Sequence, residues 1–124
     1  MKRSSFCLAA LWFAGFSSVP VTALELAKLS IAEINAAFET GELTSERLVE
    51  LSLARIKAFD NVGPKLNAVL TLNPKALERA RALDAERRSR GPRSPLHGIP
   101  VVLKDNFDTS DMPTTGGSFV LGGS

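Results

Sequence analysis

The stretch GIPVVLKDN at residues 98–106 decides the fold of this chain. Residues 99–103 are apolar throughout, which is typical of a β-strand that is covered on both faces of a sheet. A charged pair, Lys104 and Asp105, follows directly at the end of that strand. Because α/β sheets place their sites at the carboxyl ends of strands, the pattern predicts that Lys104 is a site residue.

A second apolar run, at residues 66–72, predicts another strand upstream of the first. Between the two runs the sequence predicts a helix that starts with Asn73 as N-cap and Pro74 at the first helical position and continues to Arg88. A strand, a helix and a strand in this order indicate a βαβ unit and therefore an α/β fold. The helix has a charged, solvated face, on which Asp84 is expected to pair with Arg88.

Two further helices are predicted before these elements. Ser30 and Glu33 have the spacing of a capping box, and Gly41 is expected to end the helix that they begin. Thr44 is expected to cap the second helix, and residues 60–64 have the composition of a turn. The second helix has a wide apolar face, which predicts that it is well buried; that face consists of Leu48, Val49, Leu51, Leu53 and Ile56.

The first residues have the features of a secretory signal peptide. Lys2 and Arg3 form a positive start, residues 6–16 are apolar, and small residues precede a cleavage point after Ala23. The apolar run is shorter than the about 20 residues that span a bilayer, so no stable membrane anchor is expected, although an uncleaved anchor is the alternative. The sequence therefore predicts a signal peptide at residues 1–23 and an exported, periplasmic or secreted protein.

Charge and cysteine content argue against several kinds of function. Without the two cations of the signal peptide, 13 basic residues balance 13 acidic ones, so nucleic acid is not an expected partner. Cleavage would remove Cys7, the only cysteine, and His97 is the only histidine, so neither a thiolate nor a histidine metal cluster is predicted. Asp108 and Asp111 lack the spacing of a metal-binding loop and are expected to be solvated.

Lys104 has a possible chemical role that follows from its position alone. A lysine at the rim of a buried strand is partly desolvated, which favours the neutral amine. A neutral amine can accept a proton from a hydroxyl nucleophile, whereas an ammonium group cannot. A lysine after a strand is nevertheless more often an ordinary solvated residue, so the surrounding sequence must decide between the two interpretations.

The surrounding sequence resembles the amidase signature family. PLHGIPVVLKDN at residues 95–106 and DTSDMPTTGGS at residues 108–118 are similar to the segment in which that family presents its lysine. Upstream, GELTS at 41–45 and LNAV at 66–69 are similar to its N-terminal helices and first strand, in the same order. The resemblance implies N-terminal helices plus the first part of a large mixed-sheet α/β/α fold. Residues 24–124 would be a truncated N-terminal part of an amidase domain.

The resemblance also implies a Ser–Ser–Lys triad and no metal or organic cofactor. Lys104 would exchange protons with a bridging serine held by a cis peptide bond, and that serine would activate a nucleophilic serine that forms an acyl-enzyme. Both serines would lie beyond Ser124, so Ser118 is expected to be a structural hydrogen-bonding residue and His97 to pack or hydrogen-bond before the strand. The residues expected to support the site are Asp105, Asn106, Gly116, Gly117 and Ser118.

The predicted function is hydrolysis of carbon–nitrogen bonds in linear amides, with a small-molecule or peptide amide as substrate. Because only the lysine of the triad lies in this chain, residues 1–124 alone are expected to be inactive. One alternative is a truncated, non-catalytic exported remnant or binding module. A second is the amidase component of a tRNA-dependent amidotransferase, which has the same lysine segment but acts in the cytosol with partner subunits.

Overall fold

The computed structural model describes residues 28–118 together with 120–121. The described residues form three α-helices, and a π-helical turn at Lys57–Asn61 extends the second of them. The helices are α1 at Ile31–Thr40, α2 at Ser45–Ile56 and α3 at Ala76–Arg90. No helix in this part of the chain is long and apolar enough to cross a membrane. The predicted signal peptide and residues 122–124 lie outside the described residues.

Helix α1 begins at the predicted capping box. The Ser30 N–H donates to Oε2 of Glu33 at 2.7 Å, and the Glu33 N–H donates to Oγ of Ser30 at 3.3 Å. The helix ends at Gly41, whose N–H donates to the carbonyl oxygen of Phe38 at 3.3 Å. The predicted start and end of this helix are confirmed, because each depends on residues within four positions of one another.

Helix α2 begins after Thr44, as predicted, and its buried face completes a small core. The Thr44 hydroxyl oxygen accepts a hydrogen bond from the Arg47 N–H at 3.1 Å. Leu48, Val49 and Leu51 of this helix are buried. The core between α1 and α2 also receives Ile99, which brings the segment before Lys104 against the helices; its buried members are Ile34, Phe38, Leu43 and Leu48.

Helix α3 begins later than predicted. Asn73 is the expected N-cap, but the helix starts at Ala76 and ends at Arg90. The Asn73 side-chain oxygen accepts from the Lys75 N–H at 2.9 Å, and its carbonyl oxygen accepts from the Ala76 N–H at 3.1 Å. These bonds form a turn before the helix, because an asparagine side chain can bond its own backbone two residues later.

Asp84 is not on a solvated face, and the predicted pair with Arg88 is wrong. Asp84 is 8% exposed, and its carboxylate accepts from the Ser45 N–H at 2.8 Å and from the Glu46 N–H at 3.0 Å. The first N–H groups of a helix have no partner within the helix and form the positive end of its dipole. The Asp84 carboxylate is therefore stabilised more at the start of α2 than it would be in an exposed ion pair on α3.

Replacing Asp84 with alanine is expected to destabilise α2 by about 2–4 kcal/mol, because one buried and one partly buried N–H group would lose a charged acceptor. Hydrogen exchange of peptides from residues 45–56 would show the effect as faster exchange at the start of the helix. Glu78→Ala is the matched control, since Glu78 is an exposed carboxylate on the same helix. Equal exchange in both variants would contradict the role assigned to Asp84.

The two predicted strands are irregular segments in the structure. No β-strand forms among the described residues, and the predicted βαβ pairing is absent there. Asn67 has a left-handed backbone with φ of 49°, which interrupts the first segment. The N–H groups of residues 70–72 and 101–103 donate to no partner in this part of the chain, and Leu70 and Val102 are 70% and 84% exposed. An apolar composition identifies segments that can form strands. A strand also needs a neighbouring strand that completes its hydrogen bonds.

Candidate active site

An open groove lies between the helices and the two irregular segments. Its volume is about 960 Å³. Apolar side chains from α2 and from the first irregular segment line it: Val49, Leu53, Ile56, Ala68, Val69, Leu70 and Leu72. Residues 98–105, which include the predicted site lysine, line it as well. The groove therefore places Lys104 in a concave, largely apolar surface of the kind in which small-molecule sites occur.

Lys104 follows this apolar lining at the start of a turn. Its carbonyl oxygen accepts from the Phe107 N–H at 3.0 Å. The Lys104 residue is exposed, and its amine makes no hydrogen bond or ion pair with the described residues. The expectation of a partly desolvated lysine is not met in this structure, because residues 101–103, which were predicted to form a buried strand, are themselves exposed.

Asp105 connects the lysine segment to a turn ten residues later. Its carboxylate accepts from the Thr115 N–H at 3.0 Å, from the Thr115 hydroxyl, and from the Gly117 N–H at 3.2 Å. Its carbonyl oxygen also accepts from the Gly116 N–H at 2.9 Å. The residue after Lys104 is thus fixed to one turn through both its side chain and its main chain.

These bonds lower the pKa of Asp105. The Thr115 hydroxyl contributes most, followed by the Thr115 N–H, and the Gly117 N–H and the charge of Lys104 add to the effect. A folded-state pKa below that of an unfolded aspartate, about 3.9, means that the ionised form stabilises the turn. That stabilisation is complete above the unfolded value and is lost as the pH falls through the lower, folded value.

The turn that Asp105 holds depends on two consecutive glycines. Gly116 and Gly117 have φ angles of 59° and 78°, a left-handed conformation that other residues rarely adopt. Ser118 participates through its backbone, donating its N–H to the Thr115 carbonyl oxygen at 2.9 Å. Of the predicted site residues, the structure thus brings Asp105, Gly116 and Gly117 together beside Lys104. The Asn106 side chain makes no hydrogen bond with the described residues.

His97 has the structural role that was predicted for it. The residue is 5% exposed, and its Nε2 lies 2.9 Å from the carbonyl oxygen of Leu83. Its Nδ1 accepts from the Arg93 N–H at 3.3 Å, so Nε2 carries the proton that the Leu83 oxygen accepts. His97 thereby fixes the start of the lysine segment to α3.

Asp111 is not the ordinary solvated loop residue that its sequence context predicts. It accepts from Nδ2 of Asn73 at 2.7 Å and forms an ion pair with Arg79 at 3.3 Å. Together these contacts fasten the loop after the lysine segment to the start of α3. Asp108 instead lies 3.4 Å from the Thr114 hydroxyl, which donates to it. No cluster of three metal-ligating side chains occurs within residues 28–118 and 120–121.

Sequence reasoning did not identify Thr115 as the partner of Asp105. The two residues are ten positions apart, so no helical or strand periodicity connects them. The available signal was chemical: a hydroxyl residue directly before two glycines can present several donors to one acceptor in a tight turn. The acceptor is the carboxylate of Asp105, which follows the apolar segment.

The described residues combine three helices with a lysine-bearing segment and a glycine turn. The Amidase family model matches residues 47–124, more than half of the sequence. The chain therefore belongs to the amidase family. The predicted family is confirmed by this match.

Several relatives and solved structures are similar to the chain over most of its length. A glutamyl-tRNA(Gln) amidotransferase subunit of Streptomyces coelicolor is 46% identical over 101 residues, which are 80% of this chain and 20% of the relative. The peptide amidase of Stenotrophomonas maltophilia superposes with a TM-score of 0.76 at 46% identity, over 78% of this chain and 20% of that one. An amidase family protein of Bacillus anthracis superposes with a TM-score of 0.76 at 40% identity, over 90% and 22% of the two chains.

These superpositions confirm the α/β amidase fold class that the sequence predicted. The chain spans about a fifth of the length of the curated relatives and solved structures that it matches. The two irregular apolar segments therefore lie in a stretch that corresponds to only a small portion of those proteins.

Proposed function

We propose that this chain is the N-terminal, lysine-bearing part of an enzyme that hydrolyses carbon–nitrogen bonds in amides. The observation that carries the proposal is the position of Lys104. It lines an apolar groove beside a turn held by Asp105, in a chain that is 46% identical to a peptide amidase over the matched residues. Peptide amides are accordingly the first substrates to test, and small-molecule amides the second.

In this proposal Lys104 transfers protons and two serines from the continuing polypeptide complete the site. The neutral amine accepts a proton from the bridging serine, which in turn deprotonates the nucleophilic serine. The nucleophile attacks the amide carbonyl, the leaving amine takes up a proton, and an acyl-enzyme remains. Water then releases the carboxylic acid. The mechanism requires Lys104 to alternate between amine and ammonium.

The proposal is tested with the full-length protein, meaning the polypeptide that continues past Ser124 into two serine-bearing, glycine-rich segments. We expect it to release ammonia from peptide amides and, when hydroxylamine is added, to form the hydroxamate by aminolysis of the acyl-enzyme. Residues 1–124 alone are expected to show neither activity. A stop codon directly after Ser124 would contradict the proposal, and so would a full-length protein that hydrolyses neither peptide amides nor small-molecule amides.

We further propose that residues 1–23 direct export and are removed, which leaves residues 24–124 as the start of the mature amidase domain. The support is the positively charged and apolar pattern of those residues followed by small residues before Leu24. Mass spectrometry of the protein recovered from the periplasm or medium should show a mature chain that begins at Leu24. A cytosolic protein with residues 1–23 intact would argue against export.

The second candidate function is that of an amidotransferase component. It is favoured by one observation: the Streptomyces coelicolor relative with 46% identity belongs to a glutamyl-tRNA(Gln) amidotransferase. The proposed export signal at residues 1–23 argues against it, because an exported protein would be separated from the tRNA of the cytosol. The two functions are distinguished by assaying the full-length protein, alone and with amidotransferase partner subunits, for amidation of glutamyl-tRNA. Amidation that depends on those partners would favour this function over free amide hydrolysis.

A further inference from the structure

The segment that presents Lys104 has few bonds of its own. The Ile99 N–H donates to the Leu96 carbonyl oxygen at 3.1 Å, but residues 100–103 make no hydrogen bonds with other described residues. The Lys104 amine is likewise without a hydrogen-bonding partner in this part of the chain. The first fixed point after Ile99 that holds a distant part of the chain is therefore Asp105.

Asp105 accepts hydrogen bonds through both its carboxylate and its carbonyl oxygen. Three donors from Thr115 and Gly117 converge on its carboxylate, and the Gly116 N–H reaches its carbonyl oxygen at 2.9 Å. The Thr115 hydroxyl also accepts from the Gly117 N–H at 3.1 Å, so side chain and turn support one another. Since the Lys104 and Asp105 backbones are directly joined, these bonds determine where the lysine side chain leaves the main chain.

We propose that Asp105 is a positioning residue for amide hydrolysis, which holds Lys104 in register with its proton-transfer partner by binding Thr115 and Gly117. The inference rests on the proposed function, because it requires Lys104 to exchange protons. Proton transfer needs heavy atoms within about 2.6–3.2 Å of each other. A misplacement of about 1 Å can lower a rate by about a hundredfold. Substrate binding elsewhere in the groove would be little affected.

The variants follow from the donors that meet the carboxylate. Asp105→Asn keeps the shape of the side chain but replaces one acceptor oxygen with an NH₂ group, which faces other donors. Thr115→Val removes the hydroxyl without changing the volume much, whereas Thr115→Ser retains it. Asp84→Asn is the matched control. It makes the same chemical change in a carboxylate that also binds two backbone N–H groups, and Asp84 does not line the groove.

The experiment measures kcat and KM for a peptide amide with these full-length variants, per folded molecule, together with Lys104→Ala. We expect kcat to fall about 10–100-fold in Asp105→Asn and about tenfold in Thr115→Val. KM should stay within about threefold, and Thr115→Ser and Asp84→Asn should keep kcat within about threefold of the wild-type value. If Asp105→Asn does not fold, the contrast between Thr115→Val and Thr115→Ser decides the question.

Two outcomes separate this inference from the proposed function. If Lys104→Ala is inactive while Asp105→Asn and Thr115→Val keep kcat within about threefold of wild type, Asp105 does not position the lysine and the function stands. If Lys104→Ala retains wild-type activity, the proposed function itself is wrong. An equal loss of kcat in Asp84→Asn and Asp105→Asn would also overturn the inference, because a general loss of stability would then explain both.

Discussion

Lys104→Ala in the full-length protein is expected to lower kcat by at least about a thousandfold. General acid–base catalysis by one positioned group contributes about 10²–10⁴-fold, and groups that act as one unit lose most of their effect when any member is removed. The fold should not change, because the Lys104 side chain is exposed and makes no bond with the described residues. Steady-state kinetics with a peptide amide and a thermal unfolding curve would measure both effects.

Two further variants test whether Lys104 acts as a base. Lys104→Arg keeps the positive charge but should be as inactive as Lys104→Ala, because a guanidinium group does not give up its proton in proteins. Lys75→Ala removes another exposed lysine, just before α3, and should be fully active. Activity of the arginine variant near the wild-type level would show that position 104 supplies charge alone, and the role as a base would have to be abandoned.

Gly98→Ala is expected to destabilise the protein by about 2–5 kcal/mol through two separate effects. Gly98 has φ of 82°, where an L-residue costs about 1–2 kcal/mol. The added Cβ would also lie 2.0 Å from Oγ and 3.0 Å from Cβ of Ser45, which is completely buried. Forcing extra volume into a packed site costs about 1–3 kcal/mol. Chemical denaturation of the two proteins would measure the difference.

A double-mutant cycle with Ser45 separates the two effects. The Ser45 hydroxyl oxygen is buried without a hydrogen-bond partner among the described residues, so Ser45→Ala alone is expected to be neutral or slightly stabilising. In the Gly98→Ala background, Ser45→Ala should recover much of the steric cost, because it removes the contact at 2.0 Å, but none of the backbone cost. Strictly additive free energies of unfolding would mean that the two residues do not meet, contrary to the structure.

Local sequence signals predicted the helices more accurately than the distant contacts. The caps at Ser30, Thr44 and Gly41 are confirmed, because a helix cap involves only residues within one turn. Asn73 misplaced the predicted start of α3 by two residues, since the same side chain can form a helix cap or a turn. The contact of Asp84 could not have been predicted, because its partner Ser45 lies 39 positions away in the chain.

The candidate site was also predicted only in part, because its sequence patterns are local and its contacts are not. The resemblance to the amidase signature family indicated that Lys104 and the Thr-Thr-Gly-Gly-Ser turn belong to one neighbourhood. Which atoms connect them could not be read from the sequence, because Asp105 and Thr115 meet only after the loop between them has folded. The strands failed for a different reason. An apolar run at residues 99–103 defines a segment that can join a sheet, but neighbouring strands decide whether it does.

Three aspartates in this structure each bind two backbone N–H groups of a distant segment. Asp60 binds those of Ala68 and Val69, as Asp84 does at the start of α2 and Asp105 at the glycine turn. A contact with the main chain places little demand on the side chains of the segment that is bound. The segments bound by Asp60 and Asp84 can therefore diverge in sequence without losing the contact, provided that no proline removes the donated hydrogen. The turn bound by Asp105 also needs its two glycines and the Thr115 hydroxyl. At the contacts of Asp60 and Asp84, variation between related proteins is thus limited chiefly to the side that does not supply the carboxylate.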